Sequence, residues 1–325
     1  MSIPGSQLVK GLNFDLPIFL APMAGFTDAP FRSIVKEFGV GALFTEMVSV
    51  MGLRYGNQKT KDLLRFTNVE HPIFAQLFGN DAESFEYAAK IVADMGFDGI
   101  DINAGCPAKD VIEEGSGAAL LLNLNLLARI INAVKKSGNI PVLLKVRKGF
   151  YAGQNLLQEI IKIAENEGVD MLTIHGITAE EGFNRAKEDW TVIAEAVSIS
   201  KIPVIANGGI RNEEDVKKMF EETKASFVMV GRASIGRPWF IKSAQNVLEG
   251  KAKIALSNSE KMYIIVRHIE KEIEFAGVRA GITNMKKFLP AYASGLKRAS
   301  EFRRLVNGIK TKEEALSLLE AFFNE

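Results

Sequence analysis

The chain has 325 residues, 47% of them hydrophobic and 24% charged, with 40 basic against 39 acidic side chains and a formal net charge of +1. This composition belongs to a soluble globular protein and excludes a disordered or fibrous one. The length predicts one large barrel with an appended module, or two mid-sized domains. No stretch approaches the roughly 18 apolar residues of a membrane span. The apolar patch at 17–21 lacks the basic start and cleavage site of a secretory signal, so a cytoplasmic protein with no membrane partner is expected. A single cysteine, Cys106, excludes an internal disulfide, and without CxxC or HExxH spacing no metal site is expected.

In chain order, short β-rich apolar runs alternate with longer helix-patterned stretches. The runs fall at 17–21, 42–45, 73–77, 99–103, 142–146, 171–175, 204–206 and 227–230. Helical periodicity lies between them at 83–95, 124–136, 156–167, 188–197 and 213–222. Eight strands with helical crossovers predict an α/β fold, a (β/α)₈ TIM barrel, over residues 1–242. After residue 242 the strand signal stops, and 258–275, 284–295, 300–307 and 312–323 read as helices. Residues 243–325 are therefore expected to form an all-helical domain. Between Arg279 and Lys312 it carries nine basic residues and one acid, Glu301, a net +8 that leaves −7 on the rest of the chain. That asymmetry fits a polyanion-binding face or a solvated helical surface.

Polar and glycine residues gather where the strands end, in APMAG, TEM, QLFG, DINAGCP, KVR, IHG, NGG and GR. In a parallel barrel these ends form one rim, where active sites are built. Asp101 and Asn103 alternate onto one face of their strand, and Cys106 follows on a turn, exposed enough to react. Lys145 and Arg147 also share an inward face, a costly arrangement unless a ligand or anions meet it. His175 ends its strand at the same rim, whereas His71 and His268 read as structural. Asn207, Gly208 and Gly209, with Gly231 and Arg232, close the last two strands, where barrels bind phosphate through glycine backbone N–H groups.

These segments resemble the tRNA-dihydrouridine synthases, most closely their bacterial branch. APMAGFTDAPFR, TEMV, QLFGN, DINAGCPAKDVIEEGSGAALL, LLKVRKG, IHG, PVIANGGI and VGRASIGRPWF occur in family order and near family spacing, with weaker likeness in MKKFLPAY and EFRRLVNGI. The resemblance implies an FMN-bound barrel and a helical tRNA-binding domain that together reduce the 5,6 double bond of particular uridines, with NADPH (or NADH) as electron donor. It implies that Pro22, Met23 and Ala24 line the flavin ring, and that Gln76 bonds its pyrimidine edge. Lys145 and His175 would contact the cofactor, and Asn207, Gly208, Gly209, Gly231 and Arg232 would hold its phosphate. Asn103 and Arg147 would meet the target uracil, and Cys106 would be the acid that protonates it. Ile177 stands where relatives often have arginine, and Gly209 where they often have aspartate. These departures are expected to alter RNA or substrate contacts and a rim hydrogen bond. The competing expectation is an FMN-barrel reductase of a free small molecule, similar to dihydroorotate dehydrogenase.

Overall fold

The structure is a computed structural model that describes residues 7–137, 139–184 and 187–323. A small antiparallel hairpin, β1 (Gln7–Val9) and β2 (Leu12–Phe14), precedes eight parallel strands. These are β3 (Ile18–Leu20), β4 (Leu43–Ser49), β5 (Ile73–Phe78), β6 (Gly99–Ala104), β7 (Val142–Gly149), β8 (Met171–Thr178), β9 (Val204–Asn207) and β10 (Phe227–Val230). From β4 to β10 each strand pairs with the next, and β10 returns to pair with β3. The last seam is drawn shut by Gly41 N–H to the carbonyl of Ile18 and Leu20 N–H to the carbonyl of Ala42. The (β/α)₈ TIM barrel expected from the alternating runs is the fold.

Strands covered on both faces are apolar almost throughout, which is why the runs were visible as continuous hydrophobic segments. Residues pointing outward pack under the helices; those pointing inward form a second cluster dominated by phenylalanine. Phe14, carried by the hairpin, stops the lower end of the barrel, its ring 5.0 Å from that of Phe19 and 5.3 Å from that of Phe227. The filled lower half leaves only the upper rim open for chemistry.

The crossover helices that matter for the site are α1 (Ala29–Phe38), α2 (Leu124–Ser137) and α3 (Trp190–Ile199). Asp28 caps α1 by accepting from Phe31 N–H at 3.1 Å. Beyond β10 come α4 (Phe240–Leu248), α5 (Asn258–Ala276), α6 (Val278–Tyr292), α7 (Ala299–Val306) and α8 (Lys312–Phe323). α4 runs through residue 242, the expected boundary. α6 begins six residues earlier than its periodicity suggested, because Gly281 lets it cross α5 closely: a Cβ there would lie 2.6 Å from the carbonyl oxygen of Glu272.

The helical segment shares one continuous core with the barrel. Phe31 of α1 stacks on His268 of α5, and Phe26 meets Phe288 of α6 edge-on. Arg65 donates to the carbonyl of Phe275, and Arg267 forks onto both carboxylate oxygens of Glu37. Among the described residues no single helix is long and apolar enough to cross a membrane.

Candidate active site

The strand ends enclose a cleft of about 500 Å³, with a narrower recess of about 150 Å³ beside it. Pro22, Met23, Ala24, Gln76, Asn103, Cys106, Lys145, Arg147, His175 and Arg232 line the cleft. Asn207, Gly208, Gly209 and Gly231 line the recess, together with Lys145, His175 and Arg232. The residues singled out from the strand ends are thus brought to one rim, except Asp101, which is fully buried beneath it.

Register explains the convergence. Gln76 pairs with Asp101, Asn103 with Lys145, Arg147 with His175, and His175 with Asn207, so alternate residues of β5 to β9 project inward at matching heights. A bulge in β4 between Phe44 and Met47 turns Met47 into the cleft.

The polar residues form two linked sets. In the first, Asn103 donates to Gln76 Oε1 at 2.9 Å and Gln76 donates to Asp101 Oδ2 at 2.6 Å. Asn103 Oδ1 in turn accepts the N–H groups of Gly105 and Cys106, at 3.0 and 2.9 Å. Arg147, 1% exposed, holds the same loop from the other side through Nε to the carbonyl of Gly105 at 2.8 Å. Its Nη1 donates to the carbonyls of Thr178 and Gly182. Asn103 and Arg147 therefore clamp the Cys106 loop, a task their sequence positions did not reveal.

In the second set, Lys145 Nζ donates to Asn207 Oδ1 at 2.8 Å and Asn207 Nδ2 donates to the carbonyl of Met229. Burial pushes Lys145 down to about 8 against the opposing pull of Asp101, and burial drives the carboxyl of Asp101 up to about 7. Lys145 thus keeps most of its charge at neutral pH while standing close to losing it. Burial lowers His175 to about 4, so the ring is neutral. The Cys106 thiol is pushed up by burial, with the backbone N–H of Ala108 and the charge of Arg147 opposing, which keeps it a protonated acid.

Gly208 and Gly209 have φ of +108° and +74°, and a Cβ at Gly209 would lie 2.9 Å from Trp190 Nε1. Glycine is required at both positions, so the departure from aspartate at 209 is matched by Trp190 filling the space. Ile177, which stands where relatives often have arginine, is fully buried, so an apolar side chain packs at that position. Gly117, φ +59°, packs where a Cβ would lie 2.8 Å from the carbonyl of Cys106; the small residues of GSGAALL let that segment close over the cysteine loop. Phe183 carried no signal in the sequence, yet it is 60% exposed at the cleft mouth. The guanidinium of Arg147 lies 5.2 Å from its ring centre and that of Arg232 5.8 Å.

The profile of the dihydrouridine synthase family matches residues 19–325. The chain belongs to that family. It is 38% identical over 309 residues to tRNA-dihydrouridine synthase B of Pasteurella multocida (strain Pm70), covering 94% of this chain and 92% of that one. It is 34% identical to tRNA-dihydrouridine synthase B of Pseudomonas syringae pv. tomato (strain ATCC BAA-871 / DC3000), covering 95% and 91%. Among solved structures it resembles 2-naphthoyl-CoA reductase with 2-naphthoyl-CoA, at TM-score 0.59 and 13% identity, over 77% of this chain. The chain spans about half the length of that protein, 52%. It also resembles (S)-mandelate dehydrogenase, at TM-score 0.51 and 15% identity, over 76% of each chain. These two likenesses concern the fold. Dihydrouridine synthases are flavin-dependent oxidoreductases, and the rim suits a flavin. Among the described residues no acidic side chain lines the recess, whose glycine backbone and Arg232 match a phosphate, and the adjoining cleft offers apolar walls at Met23 and Met47 with polar edges at Gln76 and Lys145.

Proposed function

We propose that this chain reduces the C5–C6 double bond of uridines in tRNA, with FMN as the resident flavin and NADPH as the electron donor. The observation that carries the reading is Cys106: a protonated thiol, held on a loop by Asn103 and Arg147, at the wall of a cleft that leads directly into the phosphate-type recess. FMN, when bound, supplies the hydride.

The recess glycines and Arg232 would hold its phosphate, Pro22, Met23 and Ala24 would back its ring, and Gln76 would bond the ring's polar edge. Lys145 would place its ammonium where negative charge gathers, and His175 would add a further contact. A uracil stacked in folded RNA cannot enter a rim cleft, so the nucleotide must turn out of its stack, at a cost of a few kcal/mol. Asn103 and Arg147 would orient the ring, and Cys106 Sγ would deliver the proton to the carbon next to the one that receives hydride. Exposed basic residues between Arg279 and Lys310 would supply the phosphate contacts of the tRNA.

The deciding experiment measures dihydrouridine in unmodified tRNA incubated with the purified protein, FMN and NADPH. Free uridine and orotate serve as parallel substrates. Reduction of tRNA alone is the expected result, and preferential reduction of a free pyrimidine would replace this reading with a small-molecule reductase.

A further inference from the structure

Glu188 lies between β8 and α3, with its side chain 4% exposed, behind the wall of the recess. Its Oε1 is 2.9 Å from His175 Nε2. Its Oε2 is buried with no hydrogen-bond partner among the described residues. The following residues pin it in place: Asp189 N–H bonds the carbonyl of Gly176 at 2.9 Å, and Trp190 Nε1 donates to the carbonyl of Gly208 at 3.3 Å. A Cβ at Gly208 would lie 2.4 Å from Glu188 Oε2 and 2.4 Å from His175 Cδ2. The Glu188–His175 pair is therefore wedged beneath the Gly208 turn.

A buried carboxylate with half of its acceptor capacity unused lowers stability, because its lost hydration is only partly replaced. Its presence here asks for a return other than stability. What it does is chemical: an ionised carboxylate only accepts, so the nitrogen facing it must carry the imidazole proton. In a neutral ring that leaves Nδ1 as a lone pair. The Cδ2–Nε2 edge is turned to Gly208 and Glu188, while the ring itself lines both the cleft and the recess.

We propose that Glu188 is a positioning residue of the cofactor site: by accepting the Nε2 proton of His175, it fixes the tautomer whose Nδ1 lone pair accepts from a hydroxyl of the flavin's polyol chain. This rests on the flavin reading above and adds to it the chemical class of group that His175 takes, a hydroxyl donor and not a phosphate oxygen.

The test uses the full-length protein as purified with its flavin. The chain has three histidines, so long-range ¹⁵N–¹H imidazole spectra separate them, and His175→Gln identifies the His175 signals. The wild type is expected to show His175 as the Nε2–H tautomer. Glu188→Ala should give mixed tautomers and release FMN about fivefold faster on dilution, the loss of one hydrogen bond. Glu188→Gln, whose amide oxygen still accepts, should restore the tautomer and most of the retention. An Nδ1–H tautomer in the wild type, or unchanged tautomer in Glu188→Ala, overturns the proposal. A tautomer change with unaltered FMN release overturns the cofactor role, and a wild-type protein that takes up no FMN overturns the flavin reading itself.

Discussion

Arg147 donates Nε–H to the carbonyl oxygen of Gly105 at 2.8 Å, tying the residue before Cys106 to the end of β7. The same guanidinium reaches the loop after β8 through the carbonyls of Thr178 and Gly182. Arg147→Lys, a single ammonium on a flexible stem, cannot span both loops. It is expected to lower kcat on tRNA by about tenfold or more through a misplaced acid, with FMN content unchanged. Steady-state kinetics beside the flavin absorbance of the purified variant checks this.

Cys106→Ala should keep its flavin and its reduction by NADPH, yet lose uridine reduction by about 100-fold or more, the weight of a positioned proton donor. Burial raises the thiol above its ordinary 9.0, so the acid stays loaded across neutral pH and kcat/KM in the wild type should hold there, its first fall coming as Lys145 loses charge near 8. An alkaline limb below neutrality, or full activity in the alanine variant, would remove Cys106 from the acid role.

The basic residues between Arg279 and Lys312 divide into two groups. Lys287 turns inward, 3.8 Å from Asp28 Oδ2 and over the rings of Phe26 and Phe288, while Arg303 and Arg304 stay exposed. Arg303→Glu with Arg304→Glu is expected to weaken tRNA binding by about tenfold and to flatten its dependence on log salt by about two units. Lys287→Glu should instead lower the thermal midpoint. Filter binding across a salt series and thermal melts separate the two outcomes.

A buried polar cluster joins α1 to the helical segment, with a ring nitrogen of His268 and carboxylate oxygens of Asp28 and Glu272 within 4.8 Å of one another. Burial and the neighbouring Asp28 push Glu272 up to about 8, from 4.5. Between those values the folded chain holds a proton that the unfolded chain has lost, so stability falls as pH rises through that window. Burial drives His268 the other way, from 6.5 to about 3, so acidification below 6.5 also costs stability. Glu272→Gln should therefore gain on wild type as pH rises from 4.5 to about 8, on the order of 1 kcal/mol per pH unit. Below 4.5 the two should share the same pH dependence. Denaturant melts at a series of pH values measure both limbs.

The barrel was legible because parallel strands buried on both faces are apolar from end to end, and because their polar terminations stand out against that background. Asn103 and Lys145 could be placed at one rim by alternation and His175 by its place at a strand end, whereas Gln76 was singled out only through the family resemblance. The hairpin Gln7–Phe14 was not, since three-residue strands have no periodicity to read. α6 was half hidden because its first turn is stabilised by a glycine contact with another helix, not by its own residues. Phe183 and Glu188 lie in the connection after β8, where position is set by Gly176, Gly208 and Arg147, all supplied from elsewhere in the barrel. The clamping by Asn103 and Arg147 was hidden for a related reason: alternation says which way a side chain points, but not which backbone carbonyl waits there.

The unbroken core beneath the helical segment has a further meaning. With Phe31 against His268, Phe26 against Phe288 and Arg267 forked onto Glu37, the exposed arginines of α7 cannot swing relative to the cysteine loop. The span between them is then a fixed length, and on the proposed tRNA reading it would work as a calliper on folded RNA, admitting a uridine by where it sits on the tRNA and not by the letters around it.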